Sequence, residues 1–144
     1  MNTLQHKRIL VTAGPTYQAI DPVRFIGNRS TGKMGIAIVE SLLQKECRVV
    51  LILGPVSIPI PIHPNLEVIR VESAEEMYEA TMQFFPACDL GIFAAAVAAY
   101  TPALVADKKI KKTEDSFFLE LKKTKDILKE VGHIKKPGQL TIGF

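Results

Sequence analysis

Asp21-Pro22-Val23-Arg24-Phe25-Ile26-Gly27-Asn28-Arg29-Ser30-Thr31-Gly32-Lys33-Met34-Gly35 stands between a strand-like segment, Arg8 to Ala13, and a helix-like one, Met34 to Lys45. Packing does not require this density of polar, glycine and cationic residues. A loop of that composition opening into a helix offers unpaired N–H groups to an anion. Ser30 and Thr31 are expected to cap the helix, while Gly32 and Gly35 admit a ligand to the backbone. Arg24, Arg29 and Lys33 add positive charge.

Gly27, Gly32 and Lys33 reproduce the G-x-x-x-x-G-K part of a phosphate-binding loop. Met34 occupies the position where Ser or Thr holds magnesium, and a long proline-containing loop separates strand from glycines, so that reading is disfavoured. An ordinary capped helix after a long loop is the plainer alternative. Long loops in compact domains are more often functional.

Working outward, Ile9-Leu10-Val11 is a short buried strand closed by Gly14-Pro15-Thr16. Met34, Ile38 and Leu42, with Ile36, Val39 and Leu43, give the helix a broad apolar face. Arg48 to Leu53 is a second strand, stopped at Gly54-Pro55. The alternating prolines from Ile58 to Pro64 exclude helix and central strand, leaving an extended connector. Glu67 to Val71 is a third strand, and Ser73 with Glu76 forms a capping box ahead of a helix burying Met77, Ala80, Thr81 and Phe84. Asp89 to Val97 is an apolar fourth strand covered on both faces. Its alanines, Ala94 to Ala99, leave room for a ligand at the carboxyl edge of the sheet, where open α/β folds bind. Phe117 to Leu121 alternates like an exposed strand, Thr124 to Val131 reads as a helix ended by Gly132, and Gln139 to Phe144 as another strand. The order is that of an α/β, Rossmann-like, doubly wound and mostly parallel sheet with helices on both faces.

The 144 residues are read as one nucleotide-binding α/β domain. With 47% hydrophobic and 23% charged residues, the chain has a globular composition. A net charge of +3 permits an anionic small molecule, and no basic stripe interleaved with aromatics argues for nucleic acid. Cys47 and Cys88 are read as buried reduced thiols, and no metal-ligating set is legible. No apolar run reaches membrane-span length and no signal segment is visible, so a cytoplasmic location is expected.

Hydride transfer with a nicotinamide cofactor is a possible chemistry for such a fold, but the first turn lacks G-x-G-x-x-G. No tyrosine has lysine four positions on. The three histidines are read as connector residues, so no Ser-His-Asp set is legible. The remaining concentrated signal is Lys108-Lys109-Ile110-Lys111-Lys112. Either it is a solvated turn, or it converges with the central loop into a site for a triphosphate with charge developing on leaving pyrophosphate.

The central motif, Ala94-Ala95-Ala96-Val97-Ala98, Lys109-Ile110-Lys111-Lys112 and Asp126-Ile127-Leu128 together resemble phosphopantothenate–cysteine ligase, from the bacterial coenzyme A biosynthesis flavoproteins. This enzyme is often fused behind a flavin-dependent decarboxylase, and the resemblance runs from Ile9 to Phe144. It implies that CTP, with Mg2+, activates the carboxylate of 4′-phosphopantothenate to an acyl-cytidylate, from which the amine of cysteine displaces CMP. By the same resemblance, Asn28 holds the acyl intermediate, Arg24 supports that step and Lys109 neutralises the triphosphate. Gly14, Ser30, Thr31, Gly32 and Lys33 would bind nucleotide phosphate, with Ala95, Ala96, Lys111, Lys112 and Phe144 bordering the ligands. The resemblance also implies a homodimer, with Phe117 to Lys122 pairing across subunits, and association with a decarboxylase. No flavin is expected in this chain. Where the family has Asp after Ala-Val-Ala, this chain has Ala99, which keeps a non-catalytic nucleotide-binding module as the alternative. The apolar stop at Thr141 to Phe144 carries the expectation that the ligase domain continues.

Overall fold

The computed structural model describes residues 3–144. Its centre is a fully parallel five-stranded sheet in the order β5-β4-β1-β6-β9, built from β1 (Arg8–Ala13), β4 (Arg48–Leu53), β5 (Leu66–Arg70), β6 (Leu90–Phe93) and β9 (Leu140–Gly143). β1 is in register with β4 from Arg8↔Arg48 to Ala13↔Leu53, and with β6 from Ile9↔Leu90 to Thr12↔Phe93. Strands buried on both faces read as continuous apolar runs, which is why RILVTA and RVVLIL carry no alternation.

One face is covered by α1 (Lys33–Gln44), whose Ile36, Val39, Leu42 and Leu43 pack with Ile9, Val11, Val49 and Leu51. Met34 lies off that stripe and is about half exposed, contrary to the apolar face read from sequence. The other face carries α2 (Ala74–Phe84) and α3 (Ile127–Ile134), whose Met77, Ala80, Ile127 and Val131 are buried with Phe85, just after α2, against Leu10 and Ile52. The Ser73–Glu76 capping box is present in full. Gly35 lets α1 approach β1: a Cβ there would lie 2.3 Å from the Ala13 Cβ.

Several boundaries differ from expectation. The ladder of β6 stops at Phe93, not Val97. Beyond it, Ala94 to Ala98 are held to the end of β1 and the chain after it by the Ala94 N–H to Thr12 O (3.1 Å), Ala96 N–H to Gly14 O (2.9 Å) and Ala98 N–H to Thr16 Oγ1 (2.9 Å). Buried Thr12 and Thr16 thus replace a regular strand partner where β1 turns away at Gly14. The expected strand at Phe117 to Leu121 is displaced to β8 (Leu121–Lys123), which pairs antiparallel with β7 (Tyr100–Pro102). α3 begins at the Asp126 N-cap, runs through Gly132 and ends ahead of Lys135-Lys136-Pro137, so His133 is helical and not in a connector. Nothing crowds Gly132, and one exposed glycine lowers helix propensity without stopping the helix. A small hairpin, β2 (Gln18–Ala19) with β3 (Phe25–Ile26), was not legible in the long loop. Cys47 and Cys88 are buried and free, and burial pushes the Cys88 thiol up to about 11. Among the described residues no helix is long and apolar enough to cross a membrane.

Candidate active site

The carboxyl ends of parallel strands and the amino end of the helix that follows share one edge of the sheet. Gly14, after β1, and Gly32, the N-cap of α1, meet there. Both adopt left-handed backbone, at φ 82° and 81°, and a Cβ on Gly32 would lie 3.5 Å from the Gly14 Cα. β-carbons would strain both residues and fill the gap between them. α1 begins without a side-chain cap and without an acid in its first turn. Ser30 and Thr31 do not serve as its cap. Their hydroxyls accept the N–H of Gly32 (3.4 Å) and Lys33 (3.3 Å), each two residues on. Such local bonds compete with capping.

Asn28 is the link between this loop and the alanine segment. Its Nδ2 donates to Ala96 O at 2.6 Å, and its Oδ1 accepts the Ser30 N–H at 3.0 Å. Ala96 in turn donates its N–H to Gly14 O at 2.9 Å. Gly14, Ala96, Asn28 and Ser30 are therefore joined by one continuous chain of hydrogen bonds.

A second tie draws in the lysine run, and its central residue was missed by sequence reasoning. Asp21 is buried at 3% exposure. Its carboxylate accepts the N–H groups of Val23 (2.9 Å), Arg24 (2.7 Å) and Ile110 (3.0 Å), and both Nε (3.1 Å) and an Nη (2.8 Å) of Arg24. The Ile110 N–H, foremost, and the Arg24 and Val23 donors hold the carboxyl well below the usual range, against the opposing push of burial. The same Arg24 guanidinium donates to Ile110 O at 2.6 Å. Lys109 and Lys111, flanking Ile110, are thereby held on the loop that carries Asn28. The only signal available for Asp21 was its place ahead of Pro22-Val23-Arg24, a turn-forming position.

Lys33, Lys109, Lys111 and Lys112 are exposed, and none forms an ion pair among the described residues. Ala95 and Phe144 line a cavity of about 410 Å³ beside Thr12, Phe93, Ala99 and Asp126. Asn28, Arg24 and Lys109 do not line this cavity. The candidate residues thus divide between a walled pocket along the β6–β9 side and an open polar surface over β1 and α1. Ala96 lies between the two. Among the described residues no cluster of three or more His, Cys, Asp or Glu is placed to hold a metal.

The model of the DNA/pantothenate metabolism flavoprotein C-terminal domain matches residues 4–144. The chain belongs to this family. It is 50% identical over 141 residues to the coenzyme A biosynthesis bifunctional protein CoaBC of Bacillus subtilis, an alignment covering 98% of this chain and 34% of that protein. A cysteine/cysteine sulfinic acid decarboxylase from an unknown prokaryotic organism is 45% identical over 141 residues, covering 98% of this chain and 39% of the relative. The chain spans about a third of the length of these curated relatives. Among solved structures, the C-terminal domain of CoaBC superposes with a TM-score of 0.85 at 44% identity, over all of this chain and 66% of that one. That superposition includes the parallel sheet, since it extends over the whole of this chain.

Proposed function

We propose that this chain carries the nucleotide and acyl site of a phosphopantothenate–cysteine ligase. In the first half-reaction a carboxylate oxygen of 4′-phosphopantothenate attacks the α-phosphorus of CTP and pyrophosphate leaves. In the second, the amine of cysteine attacks the acyl carbon, CMP leaves and an amide forms as the nitrogen loses its proton. The observation that carries this reading is the hydrogen-bond chain through Gly14, Ala96, Asn28 and Ser30, with the lysine run tied alongside by Asp21, Arg24 and Ile110. Its CoaBC relatives, named for coenzyme A biosynthesis, support the same pathway.

Within this reading, Asn28 is preorganised because its Oδ1 and one Nδ2 hydrogen are engaged, which leaves the second Nδ2 hydrogen to donate. A neutral amide donates to an acyl oxygen without repelling the incoming amine. Arg24, fixed by Asp21, orients the lysine arm, and Lys109 offsets charge on the departing pyrophosphate. Lys33, Lys111 and Lys112 add to the field, while Gly14, Ser30, Thr31 and Gly32 form the cradle at the start of α1. Ala95 and Phe144 border the nucleotide in the cavity. Magnesium suits this donor set only as a phosphate-borne ion, since Mg2+ keeps most of its waters and takes few protein ligands. Asp126 is the acid in the cavity lining, and its carboxylate also caps α3 by accepting the Lys129 N–H.

Ala99 lines the same cavity with a methyl group, and this favours a second reading, a nucleotide-binding module without catalysis. The assay that separates them incubates the protein with 4′-phosphopantothenate and CTP or ATP, scoring pyrophosphate and then cysteine-dependent amide. The ligase reading expects substrate-dependent pyrophosphate release with CTP. Release only after Ala99→Asp supports the module reading.

The solvent-facing arm carries Leu104, Val105, Phe117 and Phe118, the last 99% exposed. Burial of this surface in a homodimer, through pairing along Phe117 to Lys122, belongs to the same proposal and is read by light scattering. So do a cytoplasmic location and association with a flavin-dependent decarboxylase.

A further inference from the structure

The alanine wall of the cavity at Ala95 and Phe144 lies beyond the β6 ladder, and threonine hydroxyls hold much of it in place. Thr12 Oγ1 accepts the Ala95 N–H at 3.3 Å, and Thr16 Oγ1, fully buried, accepts the Ala98 N–H at 2.9 Å. Thr124, on the segment between β8 and α3, makes a third tie from the facing wall. Its Oγ1 donates to Ala98 O at 2.6 Å, and its N–H donates to Ala99 O at 3.0 Å. Both main-chain polar groups of Ala98 are therefore gripped by hydroxyls that lie far apart in the sequence.

Solvation alone does not call for these bonds. Ala98 is half-buried and Ala99 exposed, so water could serve their carbonyls nearly as well. What the Thr124 hydroxyl supplies is a fixed position. The β7–β8 pairing ends at Tyr100↔Lys123, and the two Thr124 bonds carry that junction one step further, into the cavity lining. On the other side, Lys125 is tied to α2 by an ion pair with Glu75 at 3.0 Å and by its ammonium 4.4 Å from the centre of the Tyr78 ring. Asp126 then caps α3, which brings Ile127 and Leu128 into the same lining. Thr124 thus joins a wall anchored on α2 and α3 to the alanine wall opposite.

We infer that Thr124 is a positioning residue for the nucleotide, setting the spacing of the two cavity walls through Ala98 O and Ala99 O before the ligand arrives. The inference rests on the reading of this cavity as the nucleotide site. A wall held in advance spares the ligand the cost of ordering it. Loss of the hydroxyl should then weaken ground state and transition state alike, which raises KM for the nucleotide and leaves kcat in place.

The test first titrates the wild-type chain with CTP and with ATP by calorimetry and carries forward the tighter of the two. Thr124→Val keeps the shape and removes the donor, while Thr124→Ser keeps the donor. Thr124→Val is expected to raise the dissociation constant roughly tenfold, and Thr124→Ser to stay within about twofold of wild type. The urea midpoint should move little in either variant, because a half-exposed carbonyl regains water. In steady state, KM for the nucleotide should rise with the dissociation constant in Thr124→Val, at an unchanged kcat. Undiminished affinity in Thr124→Val, a fall in kcat in place of the rise in KM, or a serine variant as weak as the valine one would overturn the assignment. If the wild-type chain binds neither nucleotide, the nucleotide reading itself fails and takes this inference with it.

Discussion

Asp21 and Ile110, 89 positions apart, are joined by a 3.0 Å hydrogen bond from the Ile110 N–H to the Asp21 carboxylate. With the return bond from Arg24 to Ile110 O, it fixes an otherwise exposed lysine run onto the central loop. Without it, the run would be the solvated turn that its charge alone suggests.

Acid should loosen this tie in a definite direction. The Asp21 carboxyl is depressed in the folded protein, so its stabilisation is present in full above the unfolded value of about 4. It is lost progressively as pH falls below that. At neutral pH, Asp21→Asn should lower the hydrogen-exchange protection of the Ile110 amide several-fold. The difference from wild type should shrink as the medium is acidified below about pH 4. A pH-independent difference would argue against a charge-based tie.

Gly35 is where α1 and β1 touch. A methyl placed 2.3 Å from the Ala13 Cβ must push helix from strand. Gly35→Ala should therefore cost about 1–3 kcal/mol despite the better helix propensity of alanine, read as a lower urea midpoint. An unchanged or raised midpoint would show that the contact gives way freely.

Thr81 points the other way. It is fully buried on α2, and its Oγ1 has no hydrogen-bond partner among the described residues. Val has nearly the same shape without the hydroxyl, so Thr81→Val should raise stability by about 1 kcal/mol. Loss of stability on that substitution would reveal a partner for the hydroxyl.

The central sheet was legible because β1 and β4 are apolar runs between glycine and proline stops, and α2 because Ser73 and Glu76 mark its start. What escaped was governed by tertiary partners. The ladder of β6 ends where β1 turns at Gly14, which no local pattern in Asp89 to Val97 announces. β8 lies later than the alternation at Phe117 to Leu121 because β7 sets its register. Site composition was readable in the density of polar and glycine residues from Asn28 to Gly32. The assembly of that site was not, since Asp21 pairs with a residue 89 positions away.

Separate roles for Asn28 and Lys109 are the centre of the functional account, and quenched-flow analysis of the two half-reactions addresses them directly. With 4′-phosphopantothenate and CTP, Lys109→Gln should abolish pyrophosphate release. Asn28→Asp should release pyrophosphate and accumulate the acyl-cytidylate, because a carboxylate cannot donate to the acyl oxygen. The reverse pattern, with Asn28→Asp silent in the first half and Lys109→Gln accumulating the intermediate, would contradict the account.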